Sequence, residues 1–391
     1  MTHRAPSVLH RAPSAARRAC LLGALPGMLG PVLALNFSDS GAWRAPLSLD
    51  ATSLNRGDPS RVAWGVVPDG TLIAYPGTTS NLRGQFLARF GPNYRQMFAL
   101  VFSRLGAVSG LELIESADDG ATAGESTPPL AGVRGEIRLV GSDLLGFFGY
   151  SGGGWANLPG QGVATVIHLN TGLTWPGYDD WFKITMHEAG HGIGFGHQQI
   201  YADPATQSEY TNASGGYASI TGFLNGNGPQ FDDVYAMHRM YGDKWERDGG
   251  NDTTGAAENL GELSDGSRAL GTGIGGLEIG PAETDFRSID GSSDQDWFKF
   301  TLAKRGQLQV TLTPVGPTYD YRPEGGERRT FQSSRQSDLR MVLHDASGVA
   351  VQTANAAGTG FAETLGRTVE AGEYQLRVAG TEDLNQFYRL N

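Results

Sequence analysis

The chain has 391 residues, a net charge of −11, 57 glycines and a single cysteine. That length has room for two domains, the acidity argues against a nucleic-acid partner, and one cysteine excludes an internal disulfide. Glycine at about twice its average share favours turns and tight β connections over a helical bundle.

The first segment has the pattern of an export signal. His3, Arg4, Arg11, Arg17 and Arg18 form a basic start without an acid, followed by an apolar stretch over 20–35. Pro26 and Pro31 interrupt that stretch, which is too short and broken to span a membrane. Small residues around Ala34 place cleavage after it, so residues 1–34 read as a signal peptide. Arg17-Arg18 also fits a twin-arginine signal, but the ordinary secretory route is the simpler reading. Removal takes four arginines and no acid, moving the charge from −11 to −15, and it takes Cys20, the one cysteine. No later apolar run is long enough to span a bilayer, so the expected product is soluble and exported, extracellular or periplasmic.

Residues 35–60 read as a short lead-in. A strand over 61–67 then closes at Pro68-Asp69-Gly70. Met97, Phe98, Val101, Phe102 and Leu105 fall at helical spacing over 93–105. Strands follow over 111–115 and 136–140, separated by an exposed Gly/Ser/Pro-rich loop, and a β-branched strand over 162–169 comes next. A helix begins near Asp179 or Asp180, either of which suits the N-cap.

That helix carries His187-Glu188-Ala189-Gly190-His191-Gly192-Ile193-Gly194-Phe195-Gly196-His197. His187 and His191 leave one helix face a turn apart and can grip one metal ion. Glu188 is placed to take a proton from a metal-bound water. Gly194 can turn the chain without a Cβ penalty and bring His197 back as a third ligand. Three neutral imidazoles leave a fourth tetrahedral position open, the arrangement of a catalytic zinc.

A second helix over 231–241 stops at Gly242. Composition then shifts to a charged, Gly/Asn/Thr-rich linker over 246–260. Beyond it, short strands over 297–302, 307–312, 339–343 and 374–378 alternate with turns, the pattern of an all-β sandwich over 261–391.

The pattern H-E-x-x-H-x-x-G-x-x-H resembles the metzincin zinc peptidases. The run from Phe231 to Gly242 is similar to the closing helix of their matrixin branch, and the run from Ala156 to Asn170 to the region upstream of its zinc helix. The resemblance implies an α+β metzincin-like catalytic domain over 61–245, with a twisted mixed sheet, an active-site helix and a C-terminal helix, followed by the β-sandwich. It implies a secreted zinc endopeptidase with one catalytic Zn²⁺, a protein or peptide substrate, His187, His191 and His197 on the metal and Glu188 as catalytic base. It also implies that the strand near Ala156 to Pro159 binds substrate through its backbone edge.

Two departures accompany the match. The segment 198–230 holds no methionine, so Ile220 or Thr221 stands where metzincins place the methionine beneath the zinc, and Met237 and Met240 read as core. Phe223 lacks the hydroxyl that some branches place near the metal. Of the ligands of the structural zinc in vertebrate matrixins only His168 has a match, so no second zinc is expected. The C-terminal stretch resembles the bacterial pre-peptidase C-terminal domain, through Asp294-Gln295-Asp296-Trp297-Phe298-Lys299-Phe300, 338–345 and 372–378. Calcium is left open, through loop acids such as Asp143 or through Asp290, Asp294 and Asp296, although solvated turn acids are the simpler reading. The alternative function is a catalytically inactive zinc-binding module whose sandwich is an adhesin or binding domain. The missing methionine favours it; the intact Glu188 argues against it. A non-peptidase zinc hydrolase is a third reading, which the third histidine opposes.

Overall fold

A computed structural model describes residues 57–124, 126–144, 154–156, 164–195, 228–321 and 329–391. The architecture is mixed α/β with few helices and several sheets, one part of it a β-sandwich.

The first sheet uses β1 (Ser60–Val66), β4 (Leu111–Glu115), β5 (Ile137–Ser142), β6 (Gly154–Ala156) and β7 (Thr165–Asn170) in the order β4-β1-β5-β7-β6. β1, β4, β5 and β7 run parallel, and β6 lies antiparallel to β7 at the sheet edge. Every residue of β5 and β7 is buried, as expected for central parallel strands covered on both faces. A two-residue hairpin, β2 (Leu72–Ile73) with β3 (Thr78–Thr79), precedes two helices, α1 (Leu82–Phe90) and α2 (Tyr94–Ala107). α2 buries Met97, Phe98, Val101, Phe102 and Leu105, the helical stripe legible in the sequence. α1 breaks no rule but gives little signal, because it buries only Leu82 and Phe86.

The helix α3 (Tyr178–Gly192) starts earlier than the acids suggest. Gly177, in extended conformation, is its N-cap, and Asp180 sits in the first turn, where its Oδ2 accepts the Gly177 N–H at 2.8 Å. An acid at that position satisfies the capping donor and opposes the positive end of the dipole, so it need not be the cap itself. α4 spans Phe231–Tyr241 and ends at Gly242, whose φ of 67° favours glycine.

The sandwich places β15 (Ala350–Ala354), β14 (Leu339–Asp345), β17 (Gly372–Gly380), β10 (Gln295–Leu302) and β8 (Glu258–Leu263) in one sheet. The other holds β16 (Glu363–Val369), β11 (Gly306–Pro314), β18 (Gln386–Leu390) and β9 (Ser288–Ile289). Phe298, Met341, Leu343 and Val378 from the first meet Leu312, Leu365 and Tyr388 from the second in one apolar core. A short hairpin, β12 (Thr318–Tyr321) with β13 (Arg329–Gln332), stands beside them. β8 pairs parallel with β10 and takes up the last three residues of the predicted linker, and Trp297 donates its N–H to the Asn251 carbonyl at 2.8 Å.

All eleven residues of α4 are buried. Tyr235 meets Phe331, Phe231 meets Phe387, and the Asn385 amide donates to the Tyr235 carbonyl at 2.9 Å. The His238 ring reaches Ser288 Oγ at 2.7 Å and the Val108 carbonyl at 2.8 Å, so one imidazole ties α4 to β9 and to the end of α2. α4 is therefore core to both halves. Among the described residues no helix is long and apolar enough to cross a membrane.

Candidate metal centre

α3 lies against β7, with Gly192 so near the strand that a Cβ there would stand 3.3 Å from Ile167 Cδ1. Trp181, Phe182, Ile184 and Met186 bury its other turns, Trp181 reaching the Phe86 ring at 5.1 Å between centroids. Apolar burial, not propensity, holds this glycine-containing helix in place. It leaves His187 half-buried and His191 buried on one face.

The two imidazoles stand nearly perpendicular, and their Nε2 atoms are 3.2 Å apart. Two nitrogens bound to one tetrahedral zinc at about 2.0–2.1 Å would stand about 3.3–3.4 Å apart. The spacing is thus compatible with two ligands on one ion. His191 Nδ1 lies 2.6 Å from the Phe195 carbonyl oxygen, which can only accept, so Nδ1 carries the proton and Nε2 presents a lone pair. That second contact fixes tautomer and ring orientation together. The donor chemistry fits zinc: neutral nitrogens, pre-aimed, on a rigid element.

Glu188 is 5 % exposed, and an oxygen of its carboxylate falls within 4.8 Å of both histidine nitrogens. Burial pushes its carboxyl up to about 8. A cation held by the neighbouring imidazoles would favour the ionised form and bring that value back down. Directly across from it runs β6. A Cβ on Gly154 would stand 3.2 Å from Glu188 Cγ and 2.9 Å from the His168 carbonyl oxygen, so only glycine lets the edge strand come this close.

At the end of α3, Gly194 adopts φ 112°, where a side chain is penalised. Tyr241 Oη, from the last residue of α4, donates to the Ile193 carbonyl at 2.6 Å and pins the point where the helix ends. Neither Tyr241 nor Gly154 was singled out from sequence as part of the centre. Tyr241 lay in the closing-helix match without a role, and Gly154 in a glycine run that marks a close approach only in general terms.

His197 lies outside the described residues, as do Ile220, Thr221, Phe223 and Asn157, Leu158 and Pro159 of the expected substrate strand. Met237 and Met240 are buried in α4. His168 is buried in β7, its Nε2 2.8 Å from Ser142 Oγ, and burial pushes it down to about 4. Asp290, Asp294 and Asp296 are not solvated turn acids: they are 7, 8 and 0 % exposed. The reason is that the stretch 243–252 folds over them, which their own turn pattern could not show.

No family model matches the chain, and no curated protein does. Among solved structures it is similar to the pre-peptidase C-terminal domain of a collagenase from Bacillus anthracis, at 14 % identity and a TM-score of 0.22, over 34 % of this chain and 92 % of that one. It is similar also to myroilysin, at 12 % identity and a TM-score of 0.20, over 37 % of this chain and about half, 51 %, of that one. At these values neither likeness bears on activity.

Proposed function

We propose that the protein is a zinc-dependent endopeptidase. The observation that carries the reading is the pair of His187 and His191 Nε2 atoms 3.2 Å apart, with the buried Glu188 carboxylate beside both. His197, three residues beyond Gly194, is the third ligand in this proposal. A zinc ion bound there would supply Lewis acidity, polarising a scissile carbonyl and easing the ionisation of water.

The remaining work falls to the chain. Glu188 takes a proton from the attacking water and passes it to the leaving amine, a task for which a shielded carboxylate beside the two histidine nitrogens is suited. The Phe195 carbonyl holds His191 in the Nδ1-protonated tautomer, which leaves Nε2 for the metal. β6, the edge strand, offers its outer backbone groups to an extended peptide, which would lie across Glu188 because Gly154 carries no side chain. Peptides bound in this way are extended, which favours internal sites in flexible segments. Export by the N-terminal signal would put this activity outside the cytoplasm.

The test is casein or gelatin zymography of the secreted protein with and without a zinc chelator. Cleavage lost on chelation and restored by zinc supports the reading. Cleavage that survives chelation overturns it.

A further inference from the structure

A second centre lies at the junction between α4 and the sandwich, remote in sequence from the histidines. The carboxylates of Glu246, Asp294 and Asp296 bring one oxygen each to within 4.8 Å of one another, all three side chains being buried. Oxygens on a common calcium ion at about 2.3–2.6 Å can stand no more than about 4.6–5.2 Å apart, so the three fit on one ion.

Burial alone does not make such a group a site; its unmet valences do. Asp296 is satisfied, with Tyr388 Oη and the Asn251 amide each donating at 2.5 Å. Asp294 Oδ2 accepts the Asp290 N–H at 2.7 Å, but its Oδ1 has no partner. Glu246 Oε1 and the Asn251 side-chain oxygen are also buried without a partner. Glu246 and Asp294 are 7 and 8 % exposed, and Asn251 is 2 % exposed. Anionic oxygens sealed from water with neither donor nor counter-charge are among the most costly arrangements a fold can hold. Asp243 and Asp290 add two more buried carboxylates. The cationic groups nearby are engaged: Arg239 donates to the Asp290 backbone oxygen and to Asp383, Arg287 pairs with Glu258 and Asp285, and Lys244 donates to the Thr284 carbonyl.

Access is provided as well. A cavity of about 450 Å³ has Glu246, Gly250 and Asp252 in its wall, and Asp252 is exposed at its rim. Gly250, at φ 66°, leaves room for both acids, since a Cβ there would stand 3.1 Å from Glu246 Oε2 and 3.7 Å from Asp252 Oδ2.

We propose that Glu246, Asp294, Asp296 and the Asn251 side-chain oxygen bind one calcium ion, and that this ion locks the segment following α4 onto the sandwich. The donor set is all oxygen and anionic, without the nitrogen or sulfur that selects zinc. Its irregular, fully protein-built enclosure suits calcium over magnesium, which keeps several waters and demands an octahedron. The site stands or falls independently of the zinc reading, since it shares no residue with it.

The experiment is calorimetric titration of the full-length, zinc-loaded, calcium-stripped protein with calcium chloride, alongside thermal unfolding. One calcium per chain is expected, with Tm raised by roughly 3–5 °C at about 100-fold excess over Kd. Glu246→Gln and Asp294→Asn should each weaken binding on the order of tenfold or more. Without calcium, both variants should be at least as stable as the parent, because each removes a repelling buried charge. No calcium uptake at about 1 mM, a range that covers even weak extracellular sites, would overturn the proposal. So would uptake unchanged in both variants, or variants less stable than the parent in the metal-free state.

Discussion

His187, Glu188 and His191 converge from a single turn of α3, whereas Asn251 and Asp296 at the junction meet across 45 residues. The first centre takes its geometry from helix pitch, so it exists wherever the helix exists. The second exists only when the segment after α4 is docked on the sandwich. The first is nitrogen-rich and half open; the second is oxygen-only and enclosed. A locally coded centre can therefore tolerate movement in its surroundings and serve chemistry, while a distributed one reports and enforces assembly.

The sharpest way to break that contrast is to remove one function at a time from the first centre and follow both metals. Glu188→Ala should lower the rate of casein cleavage by about 10²–10⁴-fold, the usual worth of a general base, with zinc content unchanged. His191→Ala should lose zinc and activity together and leave calcium uptake intact. Atomic absorption on both variants checks this; if His191→Ala also lost calcium, the two centres would not be independent.

A smaller effect is expected where α4 meets the end of α3. Tyr241→Phe strips the donor from the buried Ile193 carbonyl at almost no change in volume. An unmet buried carbonyl costs about 1–3 kcal/mol, at roughly 1–2 °C of Tm per kcal/mol in a chain of this size. Because that carbonyl closes α3 four residues before His197 in sequence, zinc should also dissociate faster. A Tm and a zinc off-rate both equal to the parent's would show that α4 does not brace the metal helix.

Acid should act on the shared helix next. Burial pushes His238 down to about 3, with nearby Lys244 adding to the effect. Its folded pKa lies below the unfolded value of about 6.5, so its contribution is full above pH ~6.5 and is lost as pH falls towards 3. Asp232, on the same helix, works in the opposite sense: burial pushes it up to about 7, so its contribution is present at low pH and lost as pH rises. The comparison of parent with His238→Gln isolates the histidine. Urea unfolding at pH 7 and at pH 4.5 should show a shallower acid loss in the variant. Equal slopes would mean that His238 is not buried neutral.

What was legible from sequence follows the same division between local and distributed. The convergence of His187, Glu188 and His191 was readable because offsets on a helix are fixed, and α4 because Gly242 ends it within one residue of the pattern. Strands β4, β10 and β17 were readable through their apolar runs. α1 was not, since only Leu82 and Phe86 face the core and Gly84 weakens the pattern. Asp294 and Asp296 read as turn acids because burial there comes from residues 243–252, which no local period encodes. Gly154 was illegible for a like reason: its neighbour Glu188 is close in space only.

Gly154→Ala is the finest test of that last contact. The added methyl group would stand 2.9 Å from the His168 carbonyl oxygen and 3.2 Å from Glu188 Cγ, closer than van der Waals contact permits. Among the described residues β6 is a three-residue strand at the edge of its sheet, so it can yield by moving outward where a central strand could not. Stability should fall by no more than about 1–3 kcal/mol, the ordinary cost of overpacking. The peptide path moves with the strand, so KM should rise several-fold, with kcat changing less and zinc retained. A loss confined to kcat would instead mean that the methyl displaces Glu188, and the strand would then be support for the base and not a platform for substrate.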